Sequence, residues 1–269
     1  MLEPSSIAAH AIQHEMTVKM FANSVRNAFI SSGFRSVGAG LFFRGNVATV
    51  VIKVTKIPHA DRHVIDVGFW LPEVTKDIPL SPEKTQMYFR LDRVFPGQKA
   101  AILDGGDVQS SRQAEALATL VAEIARELAP SLIELSSSYA ALHGKFIKDG
   151  SALGLVTKDA RALLEKKVLT MEVMRVVRGE APWSDLNSFG VVRDGREWRF
   201  PSFASPVRVS LEDLDVGFRS YSTRPGERRE WAQFILAASS LVEFDSDREP
   251  DRGAVMLSAL WDVAFGENG

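Results

Sequence analysis

Along this chain the spacing of apolar residues changes period, and each change marks a change of element. Over residues 6–32, Val18, Phe21, Val25, Ala28 and Phe29 recur every three or four positions, which predicts an amphipathic helix. Ile7 and Ala11 extend the stripe backwards, and Gly33 suits the left-handed position just past a helix end. The period then drops towards two. Leu41 to Arg44 and Val47 to Thr55 read as strands joined by Gly45-Asn46, a tight turn in which Gly supplies positive φ. His63 to Leu71 reads as a third strand, with Ile65, Val67, Phe69 and Leu71 on one face and Val64, Asp66, Gly68 and Trp70 on the other. Pro72, Pro79 and Pro82 enforce a loop. Tyr88 to Phe95 and Lys99 to Leu103 suggest a second hairpin around Pro96-Gly97.

From residue 110 the pattern is helical. Ser110 and Gln113 form a capping box ahead of a stripe of Leu117, Leu120, Val121, Ile124 and Leu128. Pro130 is expected to stop that helix, and Ser131 with Glu134 to start another through Leu132, Leu135, Tyr139, Leu142 and Phe146. Gly150 falls in a break, and a further helix is expected from Lys158 to Arg178, closed by Gly179. Beyond it, Pro182 opens a short helix that Gly190 closes, and Asp194-Gly195 joins two short strands within 191–200. Pro201 and Pro206 mark a linker, and Ser210 with Asp213 caps a helix. Trp231, Phe234, Ile235, Ala238, Leu241 and Val242 form an apolar helical face, and Val255 to Phe265 reads as the last helix. The expected class is α+β: an N-terminal helix packed on a mostly antiparallel sheet, a helical region, and a small helix-rich C-terminal unit. Residues 1–150 would hold the sheet and the helices after it. Residues 151–269 would be mainly helical, with the boundary somewhere in 150–180.

Composition narrows the chemistry. The chain has 269 residues, 45% of them hydrophobic, enough for a core without disulfide or metal support. It contains no Cys, which excludes disulfides, Cys-ligated zinc, iron–sulfur clusters and thiol nucleophiles, and suits a reducing, cytoplasmic setting. The net charge is −2, and no segment carries the basic excess on which phosphate-driven nucleic-acid binding depends. The start, Met1-Leu2-Glu3-Pro4, has no basic run and no apolar run, and no stretch is long and apolar enough to predict a membrane span. No membrane partner and no cofactor are expected.

Several groupings carry candidate chemistry. His10 and His14 would lie one helical turn apart, and His59, Asp61 and His63 sit close together after Pro58, so both clusters are candidate metal ligands. Neither has the His-Glu-x-x-His spacing of a metalloprotease. Asp104-Gly105-Gly106-Asp107 has the composition of a turn. Glu243, Asp245, Asp247, Glu249 and Asp251 suggest calcium, but Pro250 stands where a calcium loop of this register needs Gly. That acidic stretch is instead a candidate surface for a basic partner, with Asp245, Asp247, Glu249 and Asp251 as contacts. Gly144-Lys145 is no P-loop, Gly38-Ala39-Gly40 lacks the third Gly of a dinucleotide fingerprint, and there is no Gly-x-Ser-x-Gly elbow. The five Trp residues read chiefly as core, although Trp70 on the more polar strand face is also a candidate contact.

Residues 18–71 carry a recognisable order. An amphipathic helix leads to Gly33-Phe34, then Gly40-Leu41-Phe42-Phe43-Arg44, a β run, and Val67-Gly68-Phe69-Trp70-Leu71-Pro72-Glu73. This resembles an uncharacterised, mainly bacterial domain family of unknown function, over about residues 18–145. At the matching positions Gly33 would cap a helix, Phe34 and Phe42 would fill a core, and Gly68 would permit close approach above a strand. It carries no catalytic residues with it, and some relatives are suspected immunity-type proteins. Arg44, at a strand end, is a candidate contact for an acidic partner or a surface ion pair. The functional expectation is therefore a non-enzymatic protein-binding protein, of an immunity or regulatory kind. A metal-dependent or other enzyme built on the His pairs is the second reading, and a nucleic-acid-binding module the third.

Overall fold

The computed structural model describes residues 21–56, 63–77, 79–95, 97, 111–149, 154–194, 197–202, 204, 207–238, 242–244 and 250–266. The class is α+β. The chain divides into two compact units, Met1–Arg161 and Ala162–Gly269.

The first unit opens with helix α1, described over residues 21–31, which buries Phe21, Val25, Ala28 and Phe29. It ends as its sequence predicts: the amides of Gly33 and Phe34 turn back to the Ile30 and Phe29 carbonyls, with Gly33 at φ 98°. Six strands follow in an antiparallel meander: β1 (Arg35–Val37), β2 (Gly40–Arg44), β3 (Thr49–Lys56), β4 (His63–Trp70), β5 (Met87–Arg90) and β6 (Gly154–Val156). The register aligns Leu41, Ile52, Val67 and Phe89 across four strands, so these residues share one face. That face is the core. Phe29 meets Phe34 edge-on at 5.1 Å, and Phe34 meets Phe43 of β2 at 5.3 Å, which ties α1 to the sheet. Phe146 stacks on Phe89 at 4.3 Å and lies 5.3 Å from Phe69.

Four local expectations are corrected. The β2–β3 connection spans four residues, with Arg44 opposite Thr49, rather than a two-residue Gly45-Asn46 turn. The strand from Tyr88 does not continue to Phe95, because Leu91–Val94 form a helical turn, α2. The outer neighbour of β5 is β6, drawn from a segment that reads as a break, and Lys99 to Leu103 lie outside the described residues. Pro130 does not stop a helix: α3 runs unbroken over Ser111–Ser137. Pro130 lies on the exposed side, where solvent can satisfy the carbonyl four residues back that its missing N–H leaves unbonded. Ser138 then caps a short helix, α4 (Tyr139–His143), which widens into a π turn at Gly144–Lys148.

The end of α3 explains Gly45. The Ser136 carbonyl, free at the helix terminus, accepts hydrogen bonds from Val47 and Ala48, both at 3.1 Å. A Cβ on Gly45 would sit 2.4 Å from that carbonyl oxygen. Close approach, and not positive φ, therefore requires glycine here.

Helix α5 (Lys158–Val177) carries the chain into the second unit, which contains a 3-10 turn at Trp183–Phe189 closed by Gly190. Strands β7 (Val192–Asp194) and β8 (Glu197–Arg199) pair antiparallel. Strand β9 (Val207–Val209) pairs in parallel with β10 (Val242–Phe244), so Val242 belongs to a strand and not to the preceding helical face. Helix α6 (Leu211–Ser220) has the predicted capping box, Ser210 with Asp213. Helices α7 (Pro225–Ala237) and α8 (Pro250–Phe265) complete the unit and pack on each other. Trp231 is the centre of this core. Its indole donates to the Val177 carbonyl at 3.0 Å, and its ring stacks on Tyr221 at 5.6 Å. A Cβ on Gly217 would fall 2.0 Å from the same carbonyl oxygen.

These two contacts make a direct prediction. Gly45→Ala and Gly217→Ala should each destabilise the protein by about 1–3 kcal/mol, because backbone atoms rather than yielding side chains block the new methyl. Urea unfolding of each variant checks this; a loss below a few tenths of a kcal/mol at either position would contradict the close approach.

Candidate partner interface

Among the described residues, three places concentrate polar, aromatic or exposed apolar side chains, and their chemistry differs. The first is the sheet face opposite the core. There the register sets Lys53, Asp66 and Arg90 side by side on three strands. Asp66 is buried and accepts a hydrogen bond from the Tyr88 hydroxyl at 2.8 Å. Lys53 pairs with Glu83 at 3.7 Å, and Arg90 with Asp92 at 3.1 Å. The loop after β4 closes over this face: the Trp70 indole donates to Thr75 at 3.1 Å, and the Gln86 carboxamide oxygen accepts from the Leu71 amide at 2.9 Å. Burial, reinforced by Asp66, pushes the Tyr88 phenol up to about 12. Tyr88 thus remains a hydrogen-bond donor at neutral pH. The row is a compensated ladder of charges that pins three strands and a loop together.

The second place is the aromatic cluster of the C-terminal unit. Trp183 and Trp198 meet edge-on at 5.1 Å, and the Arg193 guanidinium lies 5.9 Å and 5.6 Å from their rings. Arg193 also donates to Gln233 at 2.9 Å, and the Trp183 indole donates to Glu230 at 3.0 Å. The cleft beside them, lined by Pro182, Trp183, Tyr221, Glu227, Glu230 and Trp231, has a volume of about 20 Å³. That is room for a water and far below the several hundred cubic ångströms of a small-molecule site.

The third place is α8. Its inner side is firmly held: Leu260 and Ala264 are fully buried, and the Ala264 carbonyl accepts from Arg229 at 3.3 Å and Gln233 at 3.1 Å of α7. Those two bonds occupy a carbonyl that the helix end leaves open. The outer side is apolar too. Trp261 is 60% exposed and Val255 71%, with Leu257 and Phe265 also exposed. Trp261 and Phe265 pack ring to ring at 4.7 Å. At 100° per residue, Ala254, Leu257, Trp261 and Phe265 fall within an arc of about 80°. Asp251 and Asp262, both exposed, line the adjoining edge. The helix is thus apolar on both sides, with one side anchored in the core and the other exposed to solvent.

The sequence-derived candidates distribute as follows. Trp70 is 7% exposed and its indole is held by Thr75, as the core-packing reading of this residue expects. Arg44 is exposed at the end of β2, with no ion-pair partner among the described residues. Asp251 stands in the first turn of α8, so the acidic stretch ends in a helix rather than a loop. Asp245, Asp247 and Glu249 lie outside the described residues, as do His10, His14, His59 and Asp61. His63 begins β4 opposite Lys56. Among the described residues no group of three or more His, Asp or Glu side chains could hold a metal ion. No described helix is long and apolar enough to cross a membrane. Trp261 reads as core from sequence; its exposure was signalled only by apolar residues recurring on two sides of one helix.

The chain has three tyrosines, and all three phenols are held above their ordinary value of 10.0. Burial is the first cause in each, joined by Asp66 for Tyr88, Glu73 for Tyr139 and Glu227 for Tyr221. Because the folded values are raised, this contribution to stability is complete below about pH 10 and is lost as pH rises through the folded values. Spectrophotometric titration of the native protein should therefore show a phenol ionising near pH 12 that Tyr88→Phe removes. Loss of a component near pH 10 in Tyr88→Phe would instead contradict the Tyr88–Asp66 geometry. Set against family models, curated proteins and solved structures, the chain matches none.

Proposed function

We propose that this is a non-enzymatic protein-binding protein, of the immunity or regulatory kind that its sequence resemblance implies, and that α8 provides its principal contact surface. One observation carries the reading. An anchored helix presents Leu257, Trp261 and Phe265 to solvent in a continuous stripe. Exposed Trp on a rigid element is the residue type that most often dominates an interface, because it buries a large area at little cost in side-chain entropy. The cleft beside Trp183 has room for a water and not for a substrate.

A partner bound through this surface should be lost on a single truncation. Trp261→Ala should weaken the complex by about 2 kcal/mol or more, roughly thirty-fold, while leaving the thermal midpoint nearly unchanged. Capture from native lysate by wild type and variant in parallel, followed by calorimetry on the purified partner, measures both. Equal capture by the two proteins would remove α8 from the interface and the proposal with it.

A further inference from the structure

We infer that the partner element seated on α8 is a cationic amphipathic helix of another protein, with Leu-like residues on one side and Lys or Arg along its edge. This rests on the binding role proposed for α8 and deepens it. The exposed stripe runs from Ala254 to Phe265, about 17 Å or three helical turns, which matches an apolar helix face laid alongside it. The edge of that stripe is acidic. Asp251 and Asp262 are separated by 11 residues and lie within about 20° of each other around the helix. The sole basic residue of α8, Arg252, is paired with Asp215 of α6 and does not offset them. Residues 242–269 as a whole carry seven acidic and two basic side chains. A partner edge of Lys or Arg is therefore attracted along its length, whereas an acidic edge is repelled.

The same charge pattern argues against a second copy of this chain. In an antiparallel pair of α8 helices, like edges face each other, so Asp251 of one copy would approach Asp262 of the other. Repulsion along that edge opposes the apolar attraction.

The test uses the full-length protein and three labelled 18-residue peptides with the same Leu pattern, carrying Lys, Gln or Glu at every other position. Fluorescence anisotropy gives the affinities, and circular dichroism and thermal melting check the folding of each protein variant. The Lys peptide should bind one to one. Asp251→Asn with Asp262→Asn should weaken it about ten-fold or more, raising NaCl from 50 to 300 mM should weaken it further, and the Glu peptide should not bind. If Gln and Lys peptides bind alike and both are lost with Trp261→Ala, the cationic inference is overturned while binding through α8 stands. If the Lys peptide binds Trp261→Ala as tightly as wild type, both fall. Absence of binding by every peptide at 100 µM overturns the inference, as does a sedimentation dimer abolished by Trp261→Ala, which would make a second copy the occupant.

Discussion

Each unit depends on one helix carbonyl brought against a glycine. A helix leaves its last carbonyls without partners inside the helix, and a buried carbonyl without a partner is costly. In the N-terminal unit the Ser136 carbonyl is satisfied by two amides from the β2–β3 loop, and Gly45 lets that loop come close. In the C-terminal unit the Val177 carbonyl is satisfied by the Trp231 indole, and Gly217 lets α6 come close. Both contacts join residues far apart in sequence. They turn a local requirement of helix ends into a long-range specification of where the next layer must lie.

The sheet shows a division of labour between its faces. One face is apolar and filled by aromatic rings from α1 and the π turn, so it supplies the driving force for folding. The other carries a row of charges and a hydrogen-bonded loop. A row of alternating charges across three strands adds little energy when exposed, but a one-residue slip would place Asp66 in the apolar core. Its value is to fix register. The second unit uses polar groups in the same way, where Arg178 reaches Asp213 at 2.8 Å and joins the end of α5 to the cap of α6. Burial pushes the Asp213 carboxyl up, but hydrogen bonds from Arg178 and Ser210 outweigh it and hold it below its ordinary value.

Against this background α8 differs in kind. Its inner face obeys the same rules as the rest of the molecule, with its final carbonyls occupied and Leu260 and Ala264 in the core. Its outer face does not need to be apolar for the fold. Trp261 and Leu257 gain nothing from solvent, and polar residues there would serve the helix equally well. Such a surplus of apolar surface beside an acidic edge is the physical basis of the proposed contact surface.

The sequence by itself determined the class, the central strands, most of the helices and many of their ends. Period-two runs placed the central strands, period-three-and-four runs placed the helices, and Gly33, Gly179, Gly190 and the Ser210 cap marked boundaries that local backbone chemistry enforces. It also determined that Ile65, Val67, Phe69 and Leu71 share a face. Tertiary structure decided what local patterns cannot encode. It drew β6 from a segment with no strand signal, since an edge strand of three residues is held by its neighbour rather than by its own pattern. It kept α3 continuous through Pro130, because the lost bond faced water. It placed Trp70 under a loop and Trp261 in solvent, although both are Trp in an apolar run. Periodicity shows that a helix has an apolar side; only packing shows which of two apolar sides the protein keeps for itself.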